Sequence, residues 1–183
     1  MKKVNWLLGA ALLLACCSVA SAKDGTIATV LDKNLGNVEK EFVSAAEAMP
    51  EEKYTFAPTE GEFKGVRSFA AQVKHVAAVN YVIAAAVLGE KPPVDTGEEA
   101  GPASMTSKAD IVKFLKDSFA YAHKATTSFS DADAVKMGPN PFGKDQVPRM
   151  AVASWITPHC FDHYGQIVVY LRMNGIVPPA SKQ

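Results

Sequence analysis

The segment at residues 67–88 constrains the fold more than any other part of this sequence. It reads RSFAAQVKHVAAVNYVIAAAVL, and its apolar residues cover most faces of a helix instead of one stripe. A helix with that distribution needs other helices around it to bury its apolar surface. Ser68 before the run and Gly89 after it are typical of a helix start and a helix end. The segment therefore predicts a central helix with His75 in its middle.

Three further segments have the periodicity of helices that would pack around it. Residues 27–48 carry apolar side chains at spacings of three and four, which is the pattern of a single buried stripe. Ser107, with Asp110 three residues later, forms a candidate capping box for a helix that extends to about residue 127. The last helix is predicted over about 149–174.

The connections between these segments favour an all-α fold. Residues 89–105 and 128–148 are rich in proline and glycine, so both are predicted to be loops. Pro158 falls inside the last predicted helix and should kink it or mark a restart, because proline cannot donate the helical hydrogen bond. No segment shows a convincing alternation of apolar and polar residues, so we predict no strands. Four helices with connections of unequal length indicate a four-helix bundle.

The first 22 residues have the three parts of a secretory signal peptide in the right order. Two lysines precede an apolar run at residues 7–15, and residues 20–22 supply the small side chains of a cleavage site. The run is too short to span a membrane, which takes about 20 residues. We therefore predict cleavage after residue 22, a bundle domain at 23–183, and export to the periplasm or the medium. The weaker alternatives are a lipid anchor on Cys16 and a buried N-terminal helix.

Composition excludes several classes of function. Lys and Arg number 19 and Asp and Glu also number 19, so no broadly basic surface is available for nucleic acid phosphates. The sequence contains no glycine-rich phosphate loop, no CxxC pair and no G-x-S-x-G motif. Cleavage of the signal segment would leave Cys160 as the only cysteine, and we interpret it as a small buried side chain, with a reactive thiol as the alternative.

The histidines carry the clearest chemical signal. His159 and His163 are four residues apart, so on a helix they lie on one face and can converge on one metal ion. A third ligand has to come from another helix, and His75 in the apolar central segment is the best candidate. A core histidine bonded to a carbonyl or a water is the alternative for His75, and His123 is its competitor as ligand. Three neutral imidazoles suit zinc or nickel better than magnesium or calcium.

Three side chains are predicted to surround the histidine pair. Gln166 follows His163 by three residues and can hydrogen-bond a ligand imidazole or a bound water. Asp162 follows His159 by three residues and can orient that ring. Trp155 precedes His159 by four residues, so it should line the same side of the helix.

The C-terminal segment resembles the final helix of the DinB/YfiT-like family. That helix typically reads H-x-x-x-H-x-G-Q, then a YLR-like stretch and a G-I-x-P-P ending. This chain has His159, His163, the pair 165–166 and the stretch 175–179 in the corresponding places, with His75 on the second helix. The resemblance implies a left-handed four-helix bundle in which three histidines bind a divalent metal, often zinc or nickel, with open positions for water.

The resemblance implies more than one activity. Some members of that family are thiol-dependent S-transferases or isomerases, and others look like metal-dependent hydrolases. Export favours hydrolysis, because the thiols that the transferases use are scarce outside the cytosol. We therefore predict an exported metal-binding protein that hydrolyses an unknown small molecule through a metal-bound water. Thiol transfer, or a non-catalytic bundle that binds a small ligand or partner, is the alternative, and apolar helix faces leave a homodimer open.

Overall fold

The computed structural model describes residues 25–182, so the predicted signal segment and the cysteine of the predicted lipid anchor lie outside the described residues. This part of the chain forms a helical bundle, which confirms the predicted fold class. Its helices are α1 (Ile27–Ala48), α2 (Phe69–Leu88), α3 (Lys108–Thr126), α4 (Asp131–Ala134), α5 (Arg149–Ser154) and α6 (Ile156–Met173). Short 3-10 helices occupy Glu51–Lys53 and Pro179–Ser181.

The central position predicted for α2 is confirmed. This helix packs against α3, α5 and α6, and it contributes buried residues around most of its circumference. Ser68 caps its first turn by accepting a hydrogen bond from the backbone N–H of Ala71, and Gly89 ends it with a φ of 73°. By length and composition α2 could cross a membrane, but 72% of its most apolar window is buried inside the bundle. Its apolar surface is thus used against neighbouring helices.

α1 and α3 each bury one apolar stripe, as their periodicity predicts. Leu35 and Phe42 of α1 and Leu115 and Phe119 of α3 are fully buried in the core. Burial of each such side chain contributes about 1.5–3 kcal/mol to folding. Ser107 caps α3 by accepting a hydrogen bond from the N–H of Asp110 at 3.1 Å, so the predicted helix start is also confirmed.

The last predicted helix is interrupted at Trp155. α5 ends at Ser154 and α6 begins at Ile156, which places Pro158 in the first turn of α6. The first N–H groups of a helix have no partner within the helix, so a proline is tolerated there. The predicted restart is therefore confirmed, and His159 and His163 lie on one uninterrupted helix.

The connection at 128–148 was predicted to be a loop without strands, and this prediction was wrong. It contains α4 and a small antiparallel ribbon in which β1 (Met137–Pro139) pairs with β2 (Gln146–Pro148). Each strand has three residues and ends in a proline, so neither shows an alternation that could be recognised in the sequence. β1 contacts α2, so the two-stranded ribbon packs beside the central helix of the bundle.

Candidate metal centre

α2 and α6 bring His75, His159 and His163 together. The ring centroids are 5.2 Å apart for His75 and His159, 4.8 Å for His75 and His163, and 4.7 Å for His159 and His163. One nitrogen from each ring lies within 4.8 Å of the others, so the group can hold a metal ion. His75 and His163 are buried and His159 is half-buried.

Two of the rings are fixed by hydrogen bonds at Nδ1. The Nδ1 atom of His75 lies 2.7 Å from the carbonyl oxygen of Glu99, which only accepts, so this nitrogen carries the proton. The Nδ1 atom of His163 lies 2.7 Å from Oε1 of Gln72. In a neutral imidazole the other nitrogen is then bare. Both rings therefore offer Nε2 as a metal ligand, in the manner of metal-binding histidines whose outer nitrogen is hydrogen-bonded.

A chain of amides fixes the orientation of Gln72. Nε2 of Gln72 donates to Oε1 of Gln166 at 2.7 Å, and Nε2 of Gln166 donates to a carboxylate oxygen of Asp162 at 3.4 Å. Because an ionised carboxylate only accepts, it turns the amide nitrogen of Gln166 toward itself and the oxygen toward Gln72. Gln72 in turn presents its oxygen to His163, which keeps the proton of that ring on Nδ1.

His159 has the least satisfied ring of the three. Its Nε2 lies 3.3 Å from Nε2 of His75. Two unprotonated nitrogens cannot form a hydrogen bond, and Nε2 of His75 is unprotonated. When no metal is bound, Nε2 of His159 must therefore carry a proton and donate it to Nε2 of His75. Nδ1 of His159 is then bare, and it is the one buried side-chain nitrogen or oxygen within residues 25–182 that has no hydrogen-bond partner. A nitrogen separation of about 3.3 Å is also what tetrahedral zinc imposes on two imidazole ligands. The donor set therefore fits a metal ion.

Burial keeps the three imidazoles neutral. It is the main cause that lowers the pKa of His159 to about 3 and that of His163 to about 4, and it also lowers the pKa of His75. Repulsion from a neighbouring imidazole adds to the effect for His159 and His163, and the charge of Arg67 acts in the same direction on all three. A neutral imidazole is the form that binds metal, so the site is ready for a cation at neutral pH.

The α2–α3 connection holds the carbonyl oxygen that fixes His75. Glu98 and Glu99 both have positive φ, 52° and 71°, an unfavourable conformation that the surrounding contacts must maintain. Gly101 allows the loop to approach α2, because a Cβ there would lie 2.8 Å from Cβ of Lys74. The ammonium group of Lys74 also donates to the carbonyl oxygen of Pro102 at 3.0 Å. The loop is thus tied to α2 next to His75.

The three side chains predicted around the pair lie near it in different roles. Gln166 contacts Gln72 and does not reach His163 directly. Asp162 is exposed and bonds Gln166, whereas it was predicted to orient His159, whose Nδ1 has no partner. The physical reason is that α6 buries a different face, which includes Cys160, His163 and Ile167, and this leaves Asp162 on the solvent side.

Trp155 lines a pocket together with His159, as its spacing predicts. Gln72 is the residue that sequence reasoning missed, although it is only 1% exposed and contacts a proposed ligand. A polar side chain inside the most apolar segment of the chain, three residues before His75, was the available signal.

The structure does not bring His123 to this cluster. Its Nδ1 lies 2.6 Å from a carboxylate oxygen of Asp32 and its Nε2 lies 3.0 Å from one of Glu39, both on α1. Burial by itself lowers the pKa of His123, but the hydrogen bonds to the two carboxylates outweigh it and the pKa is raised. Cys160 is fully buried, and burial raises the pKa of its thiol to about 12, which agrees with its interpretation as a packing residue.

Comparison with known proteins identifies the family. The family model described as the DinB superfamily matches residues 35–167, which include all three clustered histidines. The chain belongs to the DinB superfamily. A DinB-like protein from Bacillus cereus ATCC 10987, known from a crystal structure, matches with a TM-score of 0.66 over 81% of this chain and 93% of that chain. At 18% sequence identity this likeness supports the DinB-like fold alone. Comparison with curated proteins gives no significant match.

Proposed function

We propose that this DinB-superfamily protein binds one divalent metal ion, zinc or nickel, through His75, His159 and His163 and uses it to hydrolyse a small molecule. The observation that carries the proposal is the convergence of three neutral imidazoles, two of them held by hydrogen bonds at Nδ1. Three protein ligands with an open position are typical of catalytic zinc sites, whereas structural sites have four. When bound there, zinc would lower the pKa of a coordinated water to about 7 and polarise a substrate carbonyl.

The surrounding residues would hold the ligands and set the charge at the site. Glu99 and Gln72 keep the protons of His75 and His163 on the outer nitrogens, so the inner nitrogens remain free to bind. Arg67 is exposed, and its positive charge acts on all three rings. A nearby cation favours a substrate or product with negative charge, such as the carboxylate released from an ester or amide.

The first test is the metal content of the full chain, purified without a histidine tag, beside the double variant His159→Ala/His163→Ala. We expect about one zinc or nickel ion per chain in the unaltered protein and none in the double variant. His123→Ala is the matched control, because His123 binds α1 carboxylates and should leave the metal content unchanged. Stoichiometric metal in the double variant, or loss of metal in the control, would contradict the ligand assignment.

The second test separates hydrolysis from the alternatives. Ester and amide probes are compared with thiol-conjugation probes, each with and without a chelator. Chelator-sensitive cleavage of an ester or amide is the expected result. Chelator-sensitive conjugation would indicate thiol transfer, for which Cys160 cannot supply the thiol because it is fully buried. No chelator-sensitive turnover with either probe set would indicate a binding or structural role.

We also propose that the chain is exported and cleaved after residue 22, because the order of charged, apolar and small residues there is that of a signal peptide. Mass spectrometry of the N-terminus after expression in a bacterium tests this. A chain that begins at Lys23 is expected. A chain that begins at a lipidated Cys16 would indicate a lipoprotein, and an intact Met1 would contradict export.

A further inference from the structure

A pocket of about 360 Å³ opens beside His159, and the proposed hydrolysis gives no role to the other residues that line it. Val79 and Ile83 of α2 form one side, and Trp155 lies at the start of α6. The loop between β1 and β2 supplies the remaining residues, Asn140 and Phe142. Four of the six lining side chains are therefore apolar or aromatic. A cavity of about 150 Å³ lined by apolar residues is large enough for benzene, so this pocket is large enough for a ring with substituents.

The polar groups of Asn140 are already used within the loop. Its Oδ1 accepts a hydrogen bond from the N–H of Phe142 at 2.9 Å, and its Nδ2 donates to a carboxylate oxygen of Asp145 at 2.8 Å. Two other lining side chains carry polar groups, the imidazole of His159 and the indole N–H of Trp155. A ligand in this pocket would meet apolar surface on most sides and His159 on one side.

The same loop exposes the aromatic ring of Phe142 to solvent. Phe142 is 51% exposed, and its ring centroid lies 6.2 Å from that of Trp155. The Asn140 side chain fixes the backbone at Phe142, and Gly143 leaves room for the Asn140 and Asp145 side chains to bond to each other. An exposed aromatic side chain that is held in place beside a pocket is typical of a ligand site, because a ligand would remove it from water.

We infer that this pocket binds the apolar ring of a small aromatic ester or amide, with the bond to be cleaved on the side of His159. The inference rests on the proposed function, because His159 is one of the proposed metal ligands. It names the substrate class for that site: a compound with one ring next to the reacting carbonyl. Phe142 and Trp155 then determine specificity, since they contact the ring and not the reacting group.

Two hydroxamic acids test this inference on the zinc-loaded full chain. Both carry the same metal-binding head, but acetohydroxamic acid has a methyl tail and benzohydroxamic acid has a phenyl tail. Isothermal titration calorimetry should show benzohydroxamic acid binding at least about tenfold more tightly, because the pocket removes the phenyl ring from water. Phe142→Ala should abolish most of that difference and leave the Kd of acetohydroxamic acid unchanged.

Phe161→Ala is the matched control, because Phe161 is a similarly exposed ring, 41% exposed, that lines a different pocket. It should change neither Kd. Equal affinities for the two hydroxamic acids in the unaltered protein would overturn the inference while leaving the metal site intact. A Phe142→Ala variant that loses affinity equally for both compounds would also overturn it, since the ring would then support the site in general.

A second arm keeps the inference testable if the protein takes up no metal. The chain has two tryptophans, and in a Trp6→Phe background Trp155 is the only one. Addition of 1-naphthol to this metal-free chain should change the Trp155 fluorescence in a saturable manner, and the additional change Phe142→Ala should weaken that binding. Absence of metal together with saturable naphthol binding would reject the proposed function and retain the pocket. Absence of saturable binding would reject the pocket.

Discussion

Replacement of Gln72 by leucine should weaken zinc binding without changing any proposed ligand. The side chain is 1% exposed, and its amide oxygen lies 2.7 Å from Nδ1 of His163. In the metal-free protein the ring of His163 can move its proton to Nε2 once this acceptor is lost. With metal on Nε2 the proton must stay on Nδ1, where it would face an apolar side chain. The loss therefore falls mainly on the metal-bound state.

The expected loss of zinc affinity follows from this difference in cost between the metal-bound and the metal-free protein. An unsatisfied buried donor costs about 1–3 kcal/mol, and loss of the outer hydrogen bond of a metal-bound histidine typically costs about 10–100-fold in metal affinity. That range corresponds to about 1.4–2.7 kcal/mol. The measurement is competition for zinc against a chromophoric chelator, with the full chain and with Gln72→Leu. Urea unfolding of both metal-free proteins separates this effect from a loss of packing.

Two further variants identify the cause. Gln72→Glu keeps an acceptor at the same place and should retain zinc affinity, since a carboxylate makes a stronger hydrogen bond to Nδ1–H. Gln166→Leu removes only the next amide in the chain, so its effect should be smaller than that of Gln72→Leu. A Gln72→Leu protein whose zinc affinity stays within about twofold of the original would refute the reasoning, because an interaction of this kind is worth at least tenfold.

Three other outcomes are expected. The two α1 carboxylates raise the pKa of His123, so its charged form contributes stability that is fully present below about pH 6.5 and is lost as pH rises through the higher folded-state pKa. His123→Gln should therefore lower the free energy of unfolding more at pH 5.5 than at pH 9. A loss of the same size at both pH values would contradict this prediction. Gly101→Ala forces Cβ into Lys74 at a φ of 75°, so both stability and zinc affinity should fall; an unchanged zinc affinity would show that the loop does not position His75. A chelator should lower the Tm of the metal-loaded chain but not that of His159→Ala/His163→Ala, and equal shifts would place the metal elsewhere.

Local signals account for the parts of the fold that were predicted correctly. Ser68, Gly89 and Ser107 mark helix ends through bonds and dihedral angles that depend only on nearby residues. The apolar circumference of α2 requires a central position wherever the neighbouring helices come from. The spacing of His159 and His163 places them on one face of any helix that contains both.

The errors concern features that depend on contacts formed by packing and not on the pattern within one segment. The strands β1 and β2 exist because two three-residue stretches meet across a loop, and neither stretch has a recognisable pattern by itself. Asp162 was assigned to His159 by spacing alone, but the packing of α6 against α2 leaves it exposed beside Gln166. The partner of His163 is Gln72, which is 91 residues away in the sequence, so helical spacing could not connect them.

The sequence by itself determined the helical fold, the central helix and the pair of histidines on the last helix, because periodicity and capping are properties of neighbouring residues. Only the tertiary structure decided that His75 joins the pair and His123 does not. It also decided which carbonyl and amide hold the rings, and that Phe142 stands beside His159. These features depend on distances between side chains from separate helices and loops. Such distances are set when the core packs, since burial then selects which polar groups must find partners.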